Sequence, residues 1–172
     1  MLSGMPDDRV STENMLILEA TADKRWPVFI DPQEQAIAFI REHLRHDYVS
    51  IKANSSVLPR ALELALARGR AVICENVGEL NGPPTLTTIL GREVATIAGT
   101  KYIKLDDNEV EYNEDFRLYL FTGLANPHFR PAVQSKVKIL NFSVTAEGLQ
   151  AQLLTIVCKS ECSKEEEEKN RL

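Results

Sequence analysis

The chain has 172 residues, enough for one domain with a sizeable core, and 44% hydrophobic and 26% charged residues, the balance of an ordinary soluble globular protein. A net charge of −5 argues against a broad nucleic-acid-binding face, and no apolar run approaches the roughly 18 residues of a membrane span. The start, Met1-Leu2-Ser3-Gly4-Met5-Pro6-Asp7-Asp8, lacks the basic and long apolar regions of a signal peptide, and three cysteines (Cys74, Cys158, Cys162) form an odd set without metal-ligand spacing, so a reducing cytosolic setting is expected.

Residues 1–22 are polar and turn-rich, then mixed, and read as a lead-in from something upstream. Ser11-Thr12-Glu13-Asn14 before Met15-Leu16-Ile17-Leu18 suggests a helical turn running into an extended piece. Residues 25–32, short, β-branched and aromatic with prolines at both ends, read as the first clear strand. A helix follows, with Asp31 as its N-cap, Pro32 as its first residue, and Ala36, Ile37, Ile40 and Leu44 at helical spacing. His43 and His46 near its end complement the helix dipole. Residues 48–53 alternate as a second strand. Ser55 or Ser56 caps a helix over 57–68 that buries Leu58, Ala61, Leu62, Ala65 and Leu66 and stops at Gly69.

Residues 71–75 are four short apolar residues running into Glu75, the pattern of a buried parallel strand that carries an acid at its C-terminal edge. Strand, helix, strand, helix, strand is the signature of a parallel sheet with crossover helices. A short helix over 84–91 opens at Pro83-Pro84. Residues 101–105 and 109–112 read as a β-hairpin around Asp106-Asp107-Asn108. Residues 116–122 and 137–144 supply the fourth and fifth core strands. Thr145 caps a last helix with Leu149, Leu153, Ile156 and Val157 on one stripe, and the run Lys164 to Lys169 is its solvated end.

The expected fold class is therefore α/β: a five-stranded, mainly parallel sheet flanked by helices, with an inserted β-hairpin. In such sheets ligands bind at the C-terminal strand edges, where nucleotide-hydrolysing proteins place a phosphate loop and an acidic pair. A phosphate loop needs glycines, a lysine and a serine or threonine. After the first strand this chain has Asp31-Pro32-Gln33-Glu34-Gln35, whose acids repel phosphate and whose proline removes a donor. The acidic pair reads Glu75-Asn76, and an amide cannot take a proton from water at neutral pH. No catalytic residue and no metal ligand is expected. Thr122 and Asn126 stand where a strand end could orient a water, and loop capping is the favoured reading of both. His128 follows Pro127 in a loop and reads as packing or surface. Arg130, between Phe129 and Pro131, is a candidate arginine finger toward a neighbouring subunit, with Lys136 and Arg117 as substitutes.

Arg25-Trp26-Pro27-Val28-Phe29-Ile30-Asp31-Pro32-Gln33-Glu34-Gln35, Cys74-Glu75-Asn76-Val77-Gly78-Glu79, Asn126-Pro127-His128, Leu140-Asn141-Phe142 and Glu147-Gly148-Leu149-Gln150 occur in this order. Together they resemble the fifth AAA+ module of the dynein heavy chain, the module after the microtubule-binding stalk. Departures are the stretch Leu80-Asn81-Gly82-Pro83-Pro84, the loop at Gly99-Thr100, and Cys74 where the family has leucine.

The resemblance implies an AAA+ large subdomain over residues 1–155 and, over 156–172, the start of a helix leading into the small subdomain. It implies a structural module that binds no cofactor itself, with ATP and magnesium held by other modules of the parent motor, and it leaves an active P-loop ATPase as the alternative. It implies as partners the neighbouring AAA+ modules, a stalk-bracing coiled coil and, through the parent's stalk, the microtubule, with no nucleic acid and no membrane. An axonemal parent is expected over a cytoplasmic one, because 36–47 and 48–53 differ from the pattern expected of a cytoplasmic motor.

Overall fold

The computed structural model describes residues 13, 14, 16, 25–45, 47–97, 99–105, 108–143, 149, 150, 153, 154, 157 and 158. Its centre is a five-stranded sheet of β1 (Trp26–Ile30), β2 (Tyr48–Lys52), β3 (Ala71–Glu75), β7 (Arg117–Thr122) and β8 (Val137–Asn141), in the order β2-β3-β7-β1-β8. Every pairing in it is parallel. All five residues of β1 are buried, and β3 is buried up to its last residue, because helices cover both faces and leave no polar side. The ladder with β7 begins at Val28, so Pro27 breaks none of its bonds.

Helix α1 (Gln35–Leu44) covers one face. Ala36, Ile37, Phe39 and Ile40 pack on Phe29, Ile73, Phe121, Leu140 and Phe142, and Phe29 stacks on Phe121 with centroids 4.6 Å apart. Helices α2 (Leu58–Arg68) and α3 (Pro84–Gly91) cover the other. There Leu58, Leu62, Leu66, Leu86 and Ile89 meet Val28, Val72, Cys74, Leu118 and Leu120. The expected apolar sides hold, with Phe39 joining α1's buried set and Ala61 only half-buried. Gly69 ends α2 at φ 68°, and a Cβ there would lie 2.7 Å from the Asn113 side chain, so glycine is required both by conformation and by contact.

The hairpin is part of a larger element. β4 (Val94–Ile97), β5 (Thr100–Leu105) and β6 (Asn108–Glu111) form an antiparallel three-stranded sheet that buries Ile103 and Leu105 against α3 and Phe116. The sequence reading misses β4, whose four residues are too few to show an alternation. It also places the start of α1 too early: Pro32 lies in a turn and the helix begins at Gln35. A four-residue helix, α4 (Pro131–Gln134), precedes β8.

Asn14 is helical, as the lead-in suggests, and its amide donates to the Asn141 carbonyl at 2.6 Å. Residues 149, 150, 153, 154, 157 and 158 are helical too, with Leu149, Leu153 and Val157 46%, 53% and 56% exposed, so the expected stripe does not join the core. The Thr145 cap, the boundary at 155–156, His46, Ile156, Cys162 and the charge run lie outside the described residues.

Candidate functional site

Parallel strands bring the ends of β1, β3 and β7 together at one edge of the sheet, and Asp31, Glu75-Asn76 and Thr122 all stand there. The edge is knitted by backbone bonds: Asp31 N–H to Thr122 C=O at 2.9 Å, Val77 N–H to Phe121 C=O at 3.0 Å, and Ala53 N–H to Glu75 C=O at 2.8 Å.

Asp31 turns inward and is 4% exposed. Its Oδ1 accepts from the Gln35 N–H and its Oδ2 from the Ile37 N–H, each at 2.9 Å. It therefore caps α1 from four residues ahead of the helix, across a turn in which Glu34 adopts a left-handed φ of 58°. Burial raises its pKa above the ordinary 3.8, opposed by backbone donors at Ile37, Gln35 and Ala36 and helped by the charge on Glu34. Free N–H groups at the start of such a helix are what a bound phosphate uses. Here the chain's own carboxylate takes them. Gln33 and Glu34 are exposed, and the Gln35 amide donates to Gln33 at 3.2 Å. A triphosphate would meet Asp31 and Glu34 with no lysine in the loop to offset them, so the residues present do not fit ATP.

Glu75 is half-buried and engaged twice. Arg41 of α1 and the hydroxyl of Ser50 on β2 both donate to its Oε1. Arg41 and Ser50 are absent from the sequence reading. Finding them requires the β2–β3 register, in which Lys52 pairs with Glu75 and Ser50 lies two residues back along β2. Asn76 is exposed with a left-handed φ of 57°, and Glu79 accepts from the His128 N–H at 3.2 Å, joining the loop after β3 to the loop after β7. Thr122 is buried. Its carbonyl holds Asp31 and its hydroxyl accepts from the Leu124 N–H at 3.3 Å, the geometry of a loop cap.

Asn126 and His128 are exposed. Arg130 is exposed at the start of α4, and its carbonyl accepts from the Val133 and Gln134 N–H groups. Arg117 and Lys136 stand at the opposite edge of the sheet, just where β7 and β8 begin, which separates them from Asp31 and Glu75. Arg117 donates there to the carbonyls of Glu114 and Phe116 at 2.6 and 3.0 Å. A cavity of about 430 Å³ lies at that edge, lined by Trp26, Arg92, Lys101, Glu114 and Arg117 among others. Arg92 stacks on Trp26 at 3.6 Å, and the Trp26 indole donates to the Ile89 carbonyl at 2.9 Å, so these groups brace the fold.

Among the described residues no cluster of three or more His, Cys, Asp or Glu side chains could hold a metal ion, and no helix is long and apolar enough to cross a membrane. Cys74 is buried, and burial, then the charge on Glu75, pushes its thiol pKa up to about 12. Cys158 is exposed.

The whole chain, residues 1–172, matches the family described as the ATP-binding dynein motor region. It is 44% identical over 158 residues, 92% of its length, to dynein axonemal heavy chain 11 of Sus scrofa and to the ciliary dynein beta chain of Tripneustes gratilla, and covers 3% of each. It is 40% identical over 182 residues to dynein axonemal heavy chain 2 of Mus musculus, covering 99% of this chain and 4% of that one. The chain thus spans only 3–4% of the length of these curated relatives.

Proposed function

The chain belongs to the dynein motor region family, and on that premise we propose that it is a nucleotide-independent structural module, the fifth AAA+ module of an axonemal heavy chain. The observation that carries this reading is the Asp31 carboxylate on the Gln35 and Ile37 N–H groups, where a nucleotide's phosphate would have to sit. Glu75, which in an active module would serve magnesium-bound water, is committed to Arg41 and Ser50. Asn76 offers no base. In this role the module moves as a rigid body. Its two-sided core lets a displacement at one interface reach the other with little internal deformation.

The partners in this reading are the neighbouring AAA+ modules and the stalk-bracing coiled coil of the same heavy chain, with the microtubule reached through the stalk and the axoneme as the place of work. Arg130, exposed beside α4, is in this reading the candidate finger toward a neighbouring module's nucleotide.

Two measurements test this. Titration of the folded chain with a fluorescent ATP analogue and magnesium gives no saturable binding in the micromolar range, which would correspond to about −8 kcal/mol. Micromolar affinity would establish the alternative, an active P-loop ATPase. In the intact heavy chain, Glu75→Gln leaves steady-state ATP turnover within about twofold of the parent, whereas loss of an active module's catalytic acid lowers that module's own rate by about 10²-fold or more. Arg130→Ala in the same background lowers the neighbouring module's turnover if Arg130 is the finger, and unchanged turnover removes it.

A further inference from the structure

The loop from β3 to α3 carries Asn81-Gly82. Both residues are exposed and outside regular structure. Among the described residues neither the Asn81 side chain nor the Gly82 N–H has a hydrogen-bond partner. The chain is anchored on both sides of the pair. Leu80, 4% exposed, donates its N–H to Val77 at 2.9 Å, and the Pro83 carbonyl accepts from Leu86 at 3.1 Å. An asparagine amide is attacked by the main-chain nitrogen that follows it when that nitrogen is unhindered and free. Glycine has no Cβ in the way, and here nothing in the fold occupies its N–H.

We propose that Asn81 is a site of spontaneous deamidation through a succinimide with Gly82. The Gly82 nitrogen loses its proton to solvent and bonds to Asn81 Cγ. The Cγ–Nδ2 bond breaks, and the amide nitrogen leaves as ammonia. Water then opens the ring. Cleavage at Cγ leaves aspartate, and cleavage at the main-chain carbonyl leaves isoaspartate, with the main chain rerouted through Cβ and Cγ. One water is consumed, one ammonia is released, and nothing is oxidised or reduced. Either product adds a negative charge to the loop that leaves Glu75. The second also adds a main-chain methylene between the buried anchors Leu80 and Leu86. This site is independent of any nucleotide.

Other asparagines of the same chain supply controls. Asn126 precedes Pro127, which has no N–H to attack with. Asn54 precedes Ser55, whose N–H is held by the Lys52 carbonyl at 3.0 Å.

The test is prolonged incubation of the folded chain at neutral pH, then peptide mapping by mass spectrometry and isoaspartyl methyltransferase labelling. The same measurement on urea-unfolded chain gives the unprotected rate. A loop with near-zero opening cost reacts within about tenfold of that rate. Asn81 then converts to both products, while Asn126 and Asn54 stay intact. Asn81→Gln abolishes the new species. Gly82→Ala slows it at least about tenfold, the steric protection a Cβ gives the nitrogen. That alanine Cβ would lie 3.3 Å from Leu86 Cδ2, so the glutamine variant carries the test if the alanine variant is unstable. A folded rate more than about tenfold below the unfolded one overturns the proposal, because the fold would then be holding the amide away from Gly82.

Discussion

Replacing Asp31 by alanine removes the acceptor of two backbone N–H groups at once. Loss of a helix cap costs about 0.5–2 kcal/mol. Each donor left buried without a partner costs about 1–3 kcal/mol. Against this stands relief of the desolvation that raises the Asp31 pKa. A net loss of about 2 kcal/mol follows, or about 4–8 °C in Tm for a chain of this size. Urea unfolding followed by circular dichroism measures it. Asp31→Asn keeps an oxygen for one of the donors and loses about 1 kcal/mol at neutral pH. The pH dependence gives a second, sharper check. A carboxyl whose pKa is raised on folding binds protons better in the native state, so its contribution is full below 3.8 and is lost as pH rises through the higher native value. The stability advantage of the parent chain over the titration-silent Asp31→Asn variant therefore shrinks as pH rises through that window. An alanine variant within about 0.5 kcal/mol of the parent would refute the capping assignment, and an advantage that grows with pH would mean that the backbone donors outweigh burial in setting the Asp31 pKa.

Three further outcomes follow from the same geometry. Cys74, its thiol pKa about 12, stays unmodified by iodoacetamide at mildly alkaline pH in the folded chain while exposed Cys158 is alkylated; equal labelling contradicts the burial. A double-mutant cycle between Arg41→Ala and Glu75→Ala gives a coupling of about 0.5–1 kcal/mol, modest because the side chains are 41% and 27% exposed, and about 1 M salt weakens it; zero coupling at low salt means the pair does not tie α1 to β3. Trp26→Phe costs about 1–3 kcal/mol through loss of the bond to Ile89 and the contact with Arg92, and a change under about 0.5 kcal/mol in urea unfolding would deny Trp26 that bracing role.

The fold was legible because its signals are local and strong. A buried parallel strand is apolar along its buried length, so the apolar residues within 25–32 and 71–74 announce themselves, and Gly69 marks the end of α2 by a φ that few other residues tolerate. β4 was not legible, since half of its pattern is the partly exposed pair Val94 and Ile97 and its partner lies beyond a turn. The start of α1 was displaced because Asp31 caps it through a turn rather than from the adjoining position, and a left-handed Glu34 leaves no mark in the sequence. The site was half legible. Asp31, Glu75 and Thr122 could be placed at one sheet edge from strand order alone. What they bond to depends on register and helix rotation, which the sequence pattern does not carry for Arg41 and Ser50.

The acids at this edge are held by partners within the chain. An open parallel sheet ends in strand carboxylates and a helix with unpaired N–H groups, and both need counter-charges or partners. A nucleotide and its magnesium would supply them from outside. Here the supply is internal: Asp31 satisfies α1, and Arg41 and Ser50 satisfy Glu75. These bonds fasten α1 to the sheet beneath it, to β3 directly through Arg41 and to the end of β1 through Asp31. Under the proposed reading, ATP binding would first have to expel Asp31 from its donors, and that cost, borne before any phosphate contact forms, predicts the same conformation with nucleotide present or absent.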